Sequence, residues 1–261
     1  MARTARHNAA EEFRTHMRRS NELHADYLAD PEQLAQYDRF TQWQMDYLLT
    51  FFSDLHEREG YADAIDYTMS DLAGVGISER DNDLERAAPL ITRMLPTGAL
   101  ETIAAAAKLN ERVLEVNLAI FRRLQVDGQL PGRISDRVYC MACRQATTLE
   151  ECLELVHLAI GLGRTLKTLV RIPLLGGMLH AMHGPANAAG FGALHEFLDK
   201  GYTYFKAIPD LELFLDAIET RMTHVFEAIY TWPLEEFAAD GSRGAEIALE
   251  RFGSTSKLAR Q

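Results

Sequence analysis

Apolar residues in this chain recur at three- and four-residue spacing from one end to the other, and no stretch alternates apolar with polar at period two. That pattern builds helices and supplies no strand. Tyr37, Phe40, Tyr47, Phe51 and Leu55 share one helical face. Leu100, Ile103, Ala107, Leu114, Phe121 and Leu124 share another, and Phe214, Ile218, Met222, Val225 and Ile229 a third.

The punctuation fits the same interpretation. Asp30-Pro31 reads as an N-cap followed by proline at the first helical position, with Gln33 placed to complete a capping box. Gly60 closes the run that follows, and a short helix through Ile65, Met69 and Leu72 stops at Gly74-Val75-Gly76. Ser78 to Asp81 opens a helix whose Asp81, Asp83 and Glu85 favour its positive end. Pro89 kinks that helix, since apolar spacing continues across it through Leu84, Ala88, Ile91 and Leu95. Pro96 ends it and Thr97 caps the next. Ser135 caps a short helix, Thr148 to Glu151 forms a capping box, Pro173 breaks the chain, Asp210 caps a helix and Pro233 ends it. Linkers are short and there is no internal repeat. The expectation is an all-α, helical-bundle-like single domain of about ten helices over residues 1–235, with residues 236–261 a loosely held polar tail.

Charge narrows the function. The chain of 261 residues carries a net charge of −11, which argues against a nucleic-acid binder, because phosphate neutralisation needs clustered Lys and Arg. Arg3, Arg6, Arg14, Arg18 and Arg19 make a basic arm, read here as a solvated helix start. No apolar run reaches the roughly 20 residues of a membrane span, and the first residues lack a secretory signal's apolar stretch. Three cysteines make no disulfide framework, so a reducing cytoplasm is expected.

Two clusters could hold a metal. Cys140 and Cys143 have zinc-knuckle spacing, with Cys152, Glu154 and His157 beyond. Cys152 and His157, however, lie about 140° apart on a helix of 3.6 residues per turn. Glu154-x-x-His157 occurs once, where a di-iron bundle needs it twice. Neither is taken as a metal site.

The segment GMLHAMHGPANAAGFGALHEF, Gly177 to Phe197, gathers three histidines, four glycines and a proline. Gly184-Pro185 reads as a tight turn between helices Leu174 to Met182 and Ala188 to Ala207, since proline biases the residue before it away from helix. That turn would set His195 opposite Gly176 and Gly177, out of reach of His180 and His183. Its small residues then serve close backbone packing. A ligand alternative stays open. Arg164, Lys167 and Arg171 form a basic stripe leading into the hairpin and, with His183, could hold a phosphate or carboxylate. No nucleophile elbow, phosphate loop, dinucleotide fingerprint, calcium loop or catalytic triad is identifiable, and no cofactor is expected.

RDNDLERAAPLITRMLP (Arg80 to Pro96), GRTLKTLVRIPLLGGML (Gly163 to Leu179) and HGPANAAGFGALHEFLDKGYTYFKAI (His183 to Ile208) resemble the uncharacterised bacterial proteins named for a Phe-Phe-Leu-Glu-Glu-Leu-Tyr motif. The counterpart of that motif falls at Tyr67 to Ala73. The resemblance implies a helical fold and no established activity. It implies Arg where this chain has His183 and no required Cys at 140 or 143, which speaks against metal ligation there.

Two functions of different class stand. One is a non-catalytic binding or adaptor protein that self-associates or takes a protein partner through an exposed apolar patch, with Trp43, Tyr47 and Phe51 as its centre. The other is a helical domain that binds a small anionic or amphipathic ligand at Arg164, Arg171 and His183, with enzymatic turnover left open.

Overall fold

The computed structural model describes residues 2–68, 84, 86–89, 92, 97–130, 132, 134–171, 175–188 and 190–237. Among them are ten α-helices and no strand, an all-α architecture. These are α1 (Ala2–Tyr27), α2 (Pro31–Leu49), α3 (Ser53–His56), α4 (Ala62–Asp66), α5 (Thr97–Val126), α6 (Asp136–Ala146), α7 (Leu149–Leu169), α8 (Leu175–Ala188), α9 (Gly192–Ala207) and α10 (Leu211–Thr231). A 3-10 turn, Thr50–Phe52, links α2 to α3. The helix start at Ser78 to Asp81, the stops at Gly74 to Gly76 and at Pro96, the break at Pro173, most of the Tyr67 to Ala73 motif counterpart and the tail from residue 238 lie outside the described residues. Residues 84, 86–89 and 92 are helical, which puts Pro89 inside a helix.

Sequence-legible caps start the main helices. The Asp30 carboxylate accepts from the Glu32 amide at 2.9 Å, and Pro31 follows at the first turn. Ser135 Oγ accepts from the Val138 amide at 3.4 Å. The box on α7 is reciprocal: the Glu151 amide donates to Thr148 Oγ1 at 3.3 Å, and the Thr148 amide donates to Glu151 Oε2 at 2.9 Å. Such a box satisfies two amides that have no intrahelical partner. Asp210 accepts from the Leu213 amide at 3.0 Å, and α10 stops at Trp232-Pro233.

One large core joins α2, the C-terminal half of α5, α6, α7 and α10. Tyr37, Phe40, Phe121, Tyr139, Ile160, Phe214 and Ile229 meet in it. Tyr37 stands edge-on to Phe121 at 5.3 Å, the arrangement the ring quadrupole favours. The N-terminal half of α5 packs instead on α1, where Phe13, Met17, Ala104 and Ala107 make a second, smaller core with Ala88. Arg144, on α6, donates to the carbonyl of Ile229 at 2.5 Å and to that of Trp232, satisfying the end of α10. Arg221 is buried and pairs with Asp54, tying α10 to α3.

The apolar patch expected at Trp43, Tyr47 and Phe51 is not at the surface. Tyr47 and Phe51 are buried in the main core, and Trp43 stacks on Tyr47 at 5.4 Å and leans on Tyr139 at 5.1 Å. The 3.6-residue period marked the right face of α2, but periodicity does not say whether a face meets solvent or another helix. Among the described residues, no helix is long and apolar enough to cross a membrane.

Candidate functional site

The hairpin α8–α9 differs from its sequence-level expectation in where it turns. Gly184 and Pro185 do not break the chain; α8 runs through both to Ala188. A proline inside a helix forfeits one hydrogen bond and clashes with the preceding turn. Proline clashes with the backbone N–H and the Cβ of the residue before it, and Gly184 lacks the second of these. Residues 181–185 are all exposed, so water can take the bond the proline cannot make.

The turn is at Gly190, with φ of +81°. The Gly190 amide donates to the Asn187 carbonyl at 3.1 Å, and the Phe191 amide donates to the Ala186 carbonyl at 2.8 Å. This pair of bonds around a left-handed glycine is the Schellman C-cap. Moving the turn by a few residues resets the register across the hairpin. Gly176 now faces Tyr202, whose ring would sit 2.8 Å from a Cβ at that position. His195 is buried and donates from Nε2 to the Leu179 carbonyl at 2.7 Å. It lies edge-on to His183, with ring centroids 5.2 Å apart. Sequence reasoning placed His195 opposite Gly176 and Gly177, so that placement is corrected.

Asn187 is a residue the sequence did not single out. Its Nδ2 donates to His183 Nε2 at 3.1 Å, and its carboxamide fills the space above Gly192, where a Cβ would collide with it. The Asn-x-x-Gly spacing from Asn187 to Gly190 was the available signal. α9 is seated on the rest of the chain by Gly201 and Phe205. The Tyr67 hydroxyl would come 2.5 Å from a Cβ at Gly201, donates to the Phe197 carbonyl at 3.1 Å, and its ring stacks on Phe197 at 5.4 Å.

The basic stripe does not converge on His183. Arg164 pairs with Glu219 at 3.3 Å and Lys167 with Glu212 at 2.5 Å, both across to α10. Lys167 draws the Glu212 carboxyl below its ordinary range. Arg171 is exposed just past α7. Among the described residues no bond joins His183 to Arg164, Lys167 or Arg171. The stripe fastens α7 to α10, and the histidine belongs to the hairpin.

The cysteine cluster is internal. Cys140, Cys143 and Cys152 are buried, and burial pushes all three thiols up. Cys152 Sγ lies 3.4 Å from the Tyr230 hydroxyl, which is 2.5 Å from Thr147 Oγ1. His157 is exposed, away from Cys152, as their helical angle requires, and Glu154 pairs with Arg112 at 3.1 Å. Among the described residues, no group of three or more His, Cys, Asp or Glu is placed to hold a metal ion.

What remains distinctive is the outward face of α8. The helix has 14 residues and contains no Asp, Glu, Lys or Arg. Among the described residues it packs on α9, where Gly176 meets Tyr202, the Leu179 carbonyl meets His195 and Asn187 meets Gly192. On the opposite side Gly177, Ala181, Gly184 and Ala188 are exposed, and a Cβ added at Gly177 or Gly184 would meet nothing within 4 Å. Glycine inside a helix costs about 1 kcal/mol relative to alanine, and among the described residues no contact offsets that cost at either position. Met182 on α8 and Leu198 on α9 are large apolar side chains at the surface.

The molecule is thus an all-α protein with an uncharged helix face at its surface. Residues 23–233 match the family described as Domain of unknown function (DUF8198), and the chain belongs to that family. Neither a curated protein nor a solved structure matches it. The match begins within α1, so most of that helix precedes it.

Proposed function

We propose that this chain is a non-catalytic binding protein of the cytoplasm, built as one all-helical domain, whose docking element is the α8–α9 hairpin. The observation that carries this is the exposed face of α8, a helix without a charged side chain in a protein whose residues are 25% charged. Exposed apolar surface that is not scattered marks an interaction site. Polar groups elsewhere hold helices together: buried Arg221 with Asp54, part-buried Arg144 with the end of α10, buried Thr147 with Tyr230. Three buried thiols suit a reducing compartment. The resemblance to the Phe-Phe-Leu-Glu-Glu-Leu-Tyr proteins, carried by Arg80 to Pro96, Gly163 to Leu179 and His183 to Ile208, includes the segments that build α8 and α9.

A photo-crosslinking amino acid tests this in cells. Ala181 on α8 and Ala35 on α2 are both exposed helical alanines. Incorporation at Ala181 is expected to yield a discrete protein adduct that incorporation at Ala35 does not. Equal labelling at the two positions, or none at Ala181, overturns the proposal.

A further inference from the structure

We propose that residues 2–22 form a strap that docks on α5 and releases from it as one unit while the main core stays folded. This does not rest on the binding function proposed above.

The first observation is where the cores divide. Leu23 and Leu28, at the end of α1 and just past it, belong to the main core with Phe40, Phe121 and Tyr139. Ahead of them, Phe13 and Met17 meet Ala88, Ala104 and Ala107, and Ala9 and Ala10 meet Leu100, in clusters separate from the main one. The family match begins at the same place, residue 23. Among the described residues, most of the buried side chains under the strap are alanines, each contributing a single methyl. The strap is therefore held by less apolar area per turn than the helices around Phe121 and Tyr139. Segments with little buried apolar contact open at a lower free energy than the whole fold.

The second observation is that polar contacts hold the strap toward both of its ends. Arg6 Nη2 donates to the Thr92 carbonyl at 2.8 Å, and Arg14 Nη2 donates to Thr92 Oγ1 at 3.1 Å. Further along, His16 Nδ1 donates to Glu111 Oε2 at 2.5 Å, and Asn110 Nδ2 donates to the hydroxyl of fully buried Ser20 at 3.3 Å. Every one of these partners lies outside α1. Anchors at both ends resist fraying turn by turn from the N-terminus, so the strap leaves as one body. On release each of these groups exchanges its partner for water, which keeps the cost of opening modest. Release uncovers Leu100, fully buried in the docked state, together with Ala104 and Ala107. The strap thus controls whether that face of α5 meets water.

Native-state hydrogen exchange of the full chain in low urea tests this. The amides of residues 6–20 are expected to share one opening free energy with a weak urea dependence, below that of α6, α7 and α10. Two substitutions separate strap release from global unfolding. Ile160→Val thins the main core, where Ile160 is buried. It is expected to speed exchange in α6, α7 and α10 by about fivefold and to leave residues 6–20 unchanged, because that core is intact whether the strap is docked or free. Glu111→Ala acts on the docked strap alone, without altering the helix propensity of α1, and is expected to speed residues 6–20 by about tenfold. A second readout is chemical. The thiol introduced by Ser20→Cys is expected to react with a thiol reagent in the folded chain well before the three native thiols, which are buried in the main structure. Residues 6–20 accelerated by Ile160→Val as much as α6, α7 and α10 overturn the proposal, because the strap then opens only with the whole fold. Protection that declines steadily toward residue 6 overturns it as fraying. Exchange over residues 6–20 that Glu111→Ala leaves unchanged overturns it, as does a Ser20→Cys thiol as inert as the native ones.

Discussion

Arg221 and Asp54 form an ion pair whose two ends differ in burial, and that difference predicts which partner the fold can better do without. The Arg221 side chain is 7% exposed and that of Asp54 is 50% exposed. Nη1 and Nη2 of the guanidinium donate to the two carboxylate oxygens at 2.6 and 2.8 Å. Nη1 also donates to the Phe51 carbonyl at 2.8 Å, and the group stands 5.7 Å from the centre of the Phe52 ring. Removing one partner of a fully buried pair costs about 3–5 kcal/mol, mostly because the other charge is left uncompensated. Asp54→Ala leaves a buried guanidinium with one carbonyl as acceptor. Solvent already reaches the carboxylate side, so the expected loss is reduced to about 2 kcal/mol. Arg221→Met removes the buried charge itself, keeps an unbranched side chain in the space, and leaves Asp54 free to hydrate. Its expected loss is about 1 kcal/mol. Urea unfolding at neutral pH, read as a midpoint change at constant slope, separates the two. The pair also fixes a pH dependence. Arg221 holds the Asp54 carboxyl below its ordinary range. A carboxylate lowered on folding stabilises fully above its unfolded value of about 3.9, and that stabilisation is lost as pH falls through the lowered folded value. Wild type and Asp54→Ala should therefore converge in acid. An Arg221→Met variant less stable than Asp54→Ala, or a gap that persists in acid, refutes the account of the pair.

Two further outcomes follow from burial on α7 and its neighbours. A Cβ at Gly163 would sit 2.4 Å from Leu215 Cδ2, whereas one at Gly161 would meet nothing within 4 Å. Thermal unfolding should show Gly163→Ala destabilised by about 1–3 kcal/mol through overpacking and Gly161→Ala stabilised by up to about 1 kcal/mol through helix propensity. The three buried thiols, raised by desolvation, should resist a thiol reagent in the native protein and react together in urea. A native thiol that reacts at the rate of free cysteine contradicts their placement in the core.

Where the sequence could be read, and where it could not, follows from the range of the interactions involved. Caps are local chemistry, and those at Asp30, Ser135, Thr148 and Asp210 stand where the side chains put them. Trp43 and Tyr47 are covered by Tyr139, nearly a hundred residues away, so an apolar face on α2 was visible while its covering was not. The hairpin was misplaced by weighing one local signal over another. Proline at 185 normally stops a helix, but the residue before it is the only one with no Cβ to clash, and Gly190, three after Asn187, can adopt the left-handed cap that Pro185 cannot supply. With the turn at Gly184-Pro185, Gly177 and Ala188 would have belonged to different helices. With the turn at Gly190, all four small residues lie along one helix, on the side away from α9. The same composition thus changes from internal packing material into an outward surface, and the glycines at 177 and 184 lose the intramolecular explanation that the sequence had offered for them. The basic stripe meets carboxylates for the complementary reason: Glu212 and Glu219 reach Lys167 and Arg164 from a helix some fifty residues on, a pairing that spacing along α7 alone does not disclose.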